Sequence, residues 1–212
     1  MMDIAAIRRD YSLRALDEKE VDSNPFVQFT SWWQEAISSN IDEVNAMTLA
    51  TSNASGRPSA RIVLLKGFSE MGFIFFTNYN SHKGAELQEN PNAALVFFWK
   101  ELERQIRIEG KVFKTSLEEN EQYFNSRPIG SRLGAWASPQ SKIVNNRAEL
   151  ETFVTGTNNR FKDSEVPCPP FWGGYLVKPV LFEFWQGRQN RLHDRVQYSL
   201  ENSLWKISRL AP

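Results

Sequence analysis

Cationic side chains are concentrated in one short stretch near the end of the chain. Arg188, Arg191, His193 and Arg195 lie close together in sequence, with a single acid, Asp194, among them. Such cations repel one another unless an anion lies between them, and the donor fork of arginine fits carboxylate and phosphate groups two hydrogen bonds at a time. Because aromatic residues precede the stretch, it predicts an anion site with an aromatic floor. A solvated charged strand is the alternative interpretation.

The geometry of this stretch depends on whether it forms a strand. If a strand continues beyond Asn190, the side chains of Arg191, His193 and Arg195 alternate onto one face. A single short strand then presents three donors to the bound anion.

Two further cations bracket an apolar segment. Arg61 and Lys66 flank Ile62–Leu65 in a strand predicted over 58–66, and an unpaired charge beside a core is costly. Strand alternation places the two cations on opposite faces, so a ligand that both contact is large, such as a tricyclic ring with a phosphate tail, or the strand bulges. The alternative is that both cations cap the strand in solvent.

A third group of donors lies where a predicted helix ends. Tyr123 and Arg127 are four residues apart and share a helix face, and Ser131 follows after a short turn. A phenol, a guanidinium and a hydroxyl that converge are suitable donors for a phosphate. The alternative is that Tyr123 packs in the core while Arg127 is a favourable charge at the helix C-terminus.

Two weaker signals extend this pattern. His82 and Lys83 lie at a predicted helix start, which is a suitable place to bind an anion, although an ordinary surface helix also explains them. Gln140 and Ser141 follow a segment containing Trp136 and suit the rim of a flat heteroaromatic ring. Two phosphates and a flat ring together suggest flavin mononucleotide (FMN) and a phosphorylated substrate.

Composition narrows the functional classes. The 212 residues contain 25 Lys and Arg against 25 Asp and Glu, so no global field directs the protein to nucleic acid or membranes. The only cysteine is Cys168 and the only histidines are His82 and His193, which argues against a disulfide or a metal site. No Rossmann or P-loop motif is present. No apolar run approaches 18 residues, so we expect a cytoplasmic soluble protein.

Periodicity predicts a mainly β (α+β) fold. We expect a mobile arm over 1–23 and a single domain over 24–212, with short strands forming a closed or nearly closed barrel and helices packed outside it. Helices are predicted over 25–38, 81–89, 117–126 and 144–155, and strands over 46–52, 58–66, 73–78, 93–100, 103–114, 173–178, 180–186, 192–199 and 204–209. Residues 130–141 are predicted to be a loop, and 156–170 an exposed connection.

The sequence also resembles a known family along nearly its whole length. The matching stretches include Arg-Arg-Asp-Tyr (8–11), Arg-Ile-Val-Leu-Leu-Lys (61–66), Glu-Arg-Gln-Ile-Arg-Ile-Glu-Gly (103–110), Tyr-Phe-Asn-Ser-Arg-Pro (123–128), Gly-Ala-Trp-Ala-Ser-Pro-Gln-Ser (134–141), Phe-Trp-Gln-Gly-Arg (184–188), Arg-Leu-His-Asp-Arg (191–195) and Arg-Leu-Ala-Pro (209–212). This ordered set is similar to the pyridoxamine (pyridoxine) 5′-phosphate oxidase family.

That resemblance implies an FMN-binding split β-barrel that acts as a homodimer, with FMN in the cleft between subunits. It implies cofactor contacts from Arg61, Ile62, Val63, Leu64, Leu65, Lys66, Phe76, Thr77, His82, Lys83, Gln105, Gln140, Ser141, Trp185 and Arg195. It implies substrate contacts from Lys66, Tyr123, Arg127, Ser131, Arg191, Leu192 and His193, with Arg8, Arg9, Asp10 and Tyr11 as a mobile lid.

The reaction implied by the resemblance is the oxidation of pyridoxamine or pyridoxine 5′-phosphate to pyridoxal 5′-phosphate with O2 as acceptor, giving H2O2. In it, Arg191 and His193 orient the substrate ring and assist proton movement. Two residues depart from the family pattern, because His82 stands where arginine is expected and Arg132 where glutamine is expected. His82 therefore predicts a weaker, pH-dependent phosphate contact. A non-catalytic flavin or pyridoxal-phosphate binding protein of the same fold is the main alternative, and nucleic-acid binding is disfavoured by the neutral charge.

Overall fold

The structure, a computed structural model, describes residues 10–212, so Arg8 and Arg9 of the predicted lid lie outside the described residues. The α-helices are α1 (Pro25–Ser38), α2 (His82–Glu89), α3 (Leu117–Ser126), α4 (Ile129–Ala137) and α5 (Arg147–Arg160). The strands are β1 (Ala46–Ser52), β2 (Pro58–Leu64), β3 (Gly67–Ser69), β4 (Gly72–Asn78), β5 (Asn92–Trp99), β6 (Arg104–Lys114), β7 (Trp172–Gln186), β8 (Asp194–Glu201) and β9 (Leu204–Leu210).

These strands form one sheet in the order β2-β1-β5-β6-β7-β4-β3, with β8 paired to β7 and β9 paired to β8. The pairs β3–β4, β4–β7, β7–β8 and β8–β9 are antiparallel. Within residues 10–212, no helix is long and apolar enough to cross a membrane.

The chain divides into two compact units. Unit 1 takes in the described part of Met1–Leu49 together with Ala94–Gly110 and Pro179–Pro212, and unit 2 comprises Ala50–Ala93 and Lys111–Lys178. The expectation of a single domain over 24–212 stays a prediction.

Unit 1 has an aromatic core built around α1. The side chain of Asn24 caps the helix by accepting a hydrogen bond from the Phe26 amide, as the Asn-Pro start of this segment predicts. The buried ring of Phe29 packs edge-on against Phe97 with centroids 5.5 Å apart. The buried ring of Trp32 packs edge-on at 5.2 Å against Phe184 of β7. The predicted amphipathic helix over 25–38 is confirmed.

The strand predicted over 103–114 is confirmed as β6, and one of its faces is buried. Ile106 and Ile108 are fully buried, whereas Gln105, Arg107 and Glu109 on the alternate positions are partly exposed. In unit 1, this strand therefore has a buried apolar face and a polar face.

In unit 2, α3 begins with a complete capping box. The Ser116 hydroxyl accepts from the Glu119 amide at 3.1 Å, and the Glu119 carboxylate accepts from the Ser116 amide at 2.8 Å. We expect Ser116→Ala to lower the free energy of unfolding by about 1 kcal/mol, because the Glu119 amide loses its acceptor. Urea unfolding measures the change, and Ser116→Thr, which retains a hydroxyl cap, should stay close to the parent protein.

The prediction of a loop over 130–141 is wrong, because Ile129–Ala137 is helical. The small residues of this segment made its apolar face difficult to recognise in the sequence. Leu133 and Trp136 pack against the buried cluster that contains Phe124 and Trp172, so tertiary packing stabilises the helix despite its two glycines. The predicted helix over 144–155 is shifted, since α5 begins after the cap residue Asn146 and continues to Arg160.

Three strand predictions also need correction. β2 ends at Leu64, and a separate strand β3 starts at Gly67 and pairs with β4. The strands predicted over 173–178 and 180–186 are one strand, β7. Pro179 is tolerated in it because this residue falls between the part paired with β4, which ends at Val177, and the part paired with β8, which begins at Leu181.

Candidate functional site

A cavity of about 710 Å³ in unit 2 collects most of the predicted ligand-binding residues. Its walls come from β2, β4, the start of α2, the end of α3 and the start of α4. The lining residues are Arg61, Ile62, Val63, Leu64, Lys66, Phe76, Thr77, Lys83, Tyr123, Arg127, Pro128, Ser131, Gln140 and Trp172. We call this the unit 2 cavity.

The charge of the unit 2 cavity is one-sided. Arg61, Lys66, Lys83 and Arg127 are cations, and the lining residues include no Asp or Glu. Arg61 and Lys66 were expected on opposite strand faces, but β2 ends at Leu64, so strand alternation does not reach Lys66 and both residues line one cavity. The two sets of donors that looked separable in sequence share this cavity, which is suited to anions.

Arg127 carries the clearest sign of a missing anionic partner. Its Nη1 atom is buried and has no hydrogen-bond partner among residues 10–212. The guanidinium lies 4.8 Å from the ring centroid of Trp172, and burial lowers the pKa of Arg127. A buried donor without a partner is costly, so a bound anion that accepts from Nη1 relieves that cost.

Aromatic rings form the wall beside Arg127. The Phe76 ring stacks on Tyr123 with centroids 4.0 Å apart and on Trp172 with centroids 5.3 Å apart. Tyr123 therefore packs against Phe76 and also lines the cavity, and its role as a phosphate donor stays a prediction. Ser131 lies in the first turn of α4 instead of in the predicted loop.

A compact polar cluster lies on another wall. Lys83 Nζ donates to the Gln140 Oε1 at 2.8 Å and to the Thr77 hydroxyl at 3.1 Å. Burial, with a smaller contribution from the charge of Arg61, lowers the pKa of Lys83. The sequence predicted that all of these residues contact the cofactor. In the structure, they contact one another directly or line the same cavity.

Arg61 is held by a buried carboxylate that sequence reasoning missed. Glu86 accepts from the Thr51 hydroxyl at 2.6 Å, from the Ser59 hydroxyl at 2.6 Å and from Arg61 Nη2 at 3.2 Å. Burial alone raises the pKa of Glu86, but these hydrogen bonds outweigh it and the net pKa is lowered. The signal in the sequence was an acid on the buried face of a short helix that begins with His82 and Lys83.

Three predicted cofactor residues of unit 2 do not line the cavity. Leu65 is 4% exposed and belongs to the core. The His82 side chain is 67% exposed, and its Nε2 lies 3.5 Å from a Glu86 oxygen. Ser141 is exposed and has a left-handed backbone with φ of 68°.

In unit 1, the cationic stretch forms a turn between β7 and β8. Gln189–Arg191 is a short 3₁₀ segment in which Asn190 and Arg191 have φ values of 56° and 62°, and the strand starts only at Asp194. The expected alternation of residues 191, 193 and 195 along one strand is therefore wrong. Positive φ at two non-glycine residues is unusual and costs energy, and such strain tends to occur at functional sites.

This turn determines which ring nitrogen of neutral His193 carries the proton. The Arg188 amide donates to Nδ1 of His193 at 3.1 Å, so in the neutral ring Nδ1 is the acceptor and Nε2 carries the proton. The ring packs against Trp185 with centroids 4.6 Å apart. The adjacent residues Arg191 and Leu192 are exposed.

We expect His193 to titrate below the ordinary histidine value of about 6.5. Burial, and then the charge of Arg191, lower its pKa, and protonation of Nδ1 also breaks the bond from the Arg188 amide. The ring is then neutral at pH 7 and becomes charged only in more acidic solution. Nitrogen NMR shifts of the His193 ring measure this, and a midpoint above about 6.5 contradicts it.

The described part of the predicted lid contacts this turn. Tyr11 packs edge-on against Trp185 at 5.8 Å and against His193 at 6.0 Å, and a Cβ added to Gly187 would lie 2.6 Å from the Tyr11 ring. Asp10 is exposed. The structure thus brings Tyr11, Trp185 and His193 together.

Arg195 lies on β8 opposite Trp185. Its Nε donates to Glu183 at 2.8 Å and its Nη1 donates to the Ala211 carbonyl at 2.8 Å. The hydrogen bond to Glu183 raises the pKa of Arg195. Predicted cofactor residue Gln105 is half-buried on β6. No group of three or more acidic, histidine or cysteine side chains that could hold a metal ion occurs within the described residues.

The family of the chain follows from comparison with known proteins. Residues 33–159 match the family model described as pyridoxamine 5′-phosphate oxidase. Residues 172–212 match the model described as the pyridoxine 5′-phosphate oxidase C-terminal dimerisation region. The chain belongs to the pyridoxamine 5′-phosphate oxidase family. The resemblance inferred from the sequence motifs is thereby confirmed.

Curated members of the pyridoxamine 5′-phosphate oxidase family match the chain from end to end. The pyridoxine/pyridoxamine 5′-phosphate oxidase of Paraburkholderia phytofirmans is 54% identical over 214 residues, covering 100% of both chains. The protein of the same name from Nostoc punctiforme is 56% identical over 210 residues, covering 99% of this chain and 98% of its own.

Solved structures show the same fold. PhzG from Burkholderia lata, determined with tetrahydrophenazine-1-carboxylic acid, has a TM-score of 0.89 and 28% identity, covering 96% of this chain and 100% of its own. A pyridoxamine 5′-phosphate oxidase-related, FMN-binding protein from Nostoc punctiforme has a TM-score of 0.71 at 18% identity, covering 91% and 100%. The predicted split-barrel fold of this family member is confirmed.

Proposed function

We propose that this protein is an FMN-dependent oxidase that converts pyridoxamine 5′-phosphate or pyridoxine 5′-phosphate to pyridoxal 5′-phosphate, with O2 as acceptor. The observation that carries the proposal is the unit 2 cavity, whose four cations have no acidic counterpart among the lining residues. Its volume of about 710 Å³ lies in the range of roughly 300–1,000 Å³ typical of small-molecule and cofactor sites.

The residues present fit a phosphorylated flavin and a phosphorylated substrate. Phosphate groups match the sign of the charges in the unit 2 cavity, where, among residues 10–212, only Arg61 is paired with a carboxylate, that of Glu86. The unpartnered Nη1 of Arg127 gives one phosphate a donor at a defined position. The aromatic stack of Phe76, Tyr123 and Trp172 offers apolar surface beside that position. When bound, FMN supplies the hydride acceptor that amino-acid side chains lack, and O2 restores its oxidised form.

Within the unit 2 cavity, we assign the two ends of the donor set to different ligands. Lys83, with Thr77, Gln140 and the Glu86-held Arg61, binds the cofactor. Tyr123, Arg127, Ser131 and Lys66 bind the substrate phosphate. Binding at a group remote from the reacting carbon positions that carbon and supplies energy for the chemical step.

For unit 1, the family resemblance assigns Trp185 and Arg195 to the flavin and Arg191 and His193 to the substrate. The neutral His193 ring holds its proton at Nε2, so it can donate to a substrate oxygen or nitrogen, while Nδ1 stays bound to the Arg188 amide. Tyr11 packs edge-on against this ring. We further propose a homodimer, supported by the match of residues 172–212 to a dimerisation region.

One assay tests the function and separates it from a non-catalytic flavin-binding role. Protein purified and supplied with FMN should release one equivalent of H2O2 for each pyridoxal 5′-phosphate formed from pyridoxamine 5′-phosphate. Flavin binding without peroxide or product points to the non-catalytic alternative. Failure to bind FMN at all contradicts both, and pyridoxamine lacking its phosphate serves as the control substrate.

A further inference from the structure

Glu183 is a buried charged residue, and its burial is unfavourable unless the carboxylate has specific partners. It lies on β7 between Phe182 and Phe184, both fully buried, and is itself only 3% exposed. Burying a carboxylate is costly, and the cost is recovered only when the carboxylate has good partners. No ligand assignment made above includes this residue.

Two arginines satisfy the Glu183 carboxylate, one on each oxygen. Arg195 Nε donates to Oε1 at 2.8 Å, and Arg107 Nη1 donates to Oε2 at 2.8 Å. Arg107 also pairs with Glu109. The carboxylate thus links β7 to an arginine on β8 and to another on β6.

These contacts hold Arg195 in one orientation, but some of its N–H donors have no acceptor in the described part of the chain. A guanidinium has five N–H donors. The Nε proton is taken by Glu183 and one Nη1 proton by the Ala211 carbonyl. Among residues 10–212, Nη2 makes no hydrogen bond, and the side chain is 26% exposed. Its orientation is therefore held by two bonds, while the two Nη2 protons and one Nη1 proton remain available to a ligand.

We propose that Glu183 is a positioning residue that aims the guanidinium of Arg195 at the flavin before the flavin binds. The inference rests on the proposed function, because it deepens the assignment of Arg195 to the cofactor. A long arginine side chain loses considerable rotamer entropy when it is immobilised. Glu183 removes that cost from the binding step, so it raises cofactor affinity without contacting the cofactor.

Glutamine at position 183 separates this role from simple packing. Glu183→Gln keeps the shape of the side chain but removes the charge and replaces one acceptor oxygen by an amide that cannot accept. We expect FMN affinity, measured by quenching of flavin fluorescence on titration into apoprotein, to fall on the order of 10-fold. Glu35→Gln is the matched control in the same unit, because Glu35 pairs with Arg14 and Arg104 and does not contact Arg195.

A double-mutant cycle tests whether the effect passes through Arg195. If it does, Glu183→Gln costs no further affinity in an Arg195→Ala background. Losses that simply multiply overturn the proposal, as does an unchanged affinity for Glu183→Gln alone. Wild-type apoprotein that fails to bind FMN contradicts the proposed function instead, so the two failures are distinguishable.

A second measurement does not depend on any variant folding or on the flavin. In wild-type apoprotein, the Arg195 Nε proton should exchange with solvent more slowly than that of Arg147, whose Nε also pairs with a carboxylate but whose side chain is 80% exposed. Exchange of the Arg195 proton as fast as that of Arg147 shows that Arg195 is not held in advance, and it overturns the proposal.

Discussion

Replacing Arg127 by methionine is expected to raise KM for pyridoxamine 5′-phosphate on the order of 100-fold, the largest single effect on substrate binding. A hydrogen bond to a charged group contributes roughly 1.5–3 kcal/mol, and a guanidinium offers two to one phosphate. Methionine has a similar length, and it removes both the donors and the cationic contact with the Trp172 ring. Because phosphate binding also positions the reacting carbon, kcat should fall as well, by a smaller factor.

Steady-state kinetics with both phosphorylated substrates measure this effect. Arg57→Met is the matched control, because Arg57 is an exposed arginine of the same unit that does not line the unit 2 cavity. We also expect the Arg127 variant to lose its preference for phosphorylated over unphosphorylated pyridoxamine. An unchanged KM places the substrate phosphate elsewhere and removes the main support for the assignment of Tyr123, Arg127 and Ser131.

Replacing Lys83 by methionine is expected to weaken FMN binding on the order of 100-fold. The Lys83 ammonium is partly buried, and burial lowers its pKa, so the charge is held in a medium where its interaction with a phosphate is strong. The substitution also removes the hydrogen bonds that Lys83 donates to Thr77 and Gln140. Both losses act on the cofactor and leave the Arg127 end of the cavity unchanged.

Fluorescence titration of apoprotein with FMN, compared with riboflavin, checks the Lys83 prediction. The loss should be large for FMN and small for riboflavin, which has no phosphate. Lys111→Met, at an exposed position of the same unit, should bind both as the parent does. An equal loss for both ligands means that Lys83 supports the cavity wall and does not contact the phosphate.

Local rules predicted much of the fold. The predicted bounds of α1, α3 and β1 match the structure, because the signals for these elements lie within a few residues of sequence and survive without tertiary context. Helix α4 escaped prediction because its stability comes from Leu133 and Trp136 packing on residues distant in the chain. β7 was split in two at Pro179 because only the pairing partners reveal that proline is permitted there.

By itself, the sequence determined which chemistry the protein can offer. The types and order of Arg61, Lys66, Tyr123, Arg127 and His193 indicated phosphate binding and family membership, because charge and donor geometry are properties of the residues themselves. Which residues share a cavity was decided only by the tertiary structure.

The buried carboxylates show why the tertiary structure was needed. Glu86 and Glu183 look like ordinary acids in sequence, and their roles depend on arginines that lie far along the chain or on neighbouring strands. Likewise, the cationic stretch at 188–195 predicted a strand, but the chain instead turns through two positive-φ residues before β8 begins. Orientation arises from burial and from pairing partners, which no local pattern of residues contains.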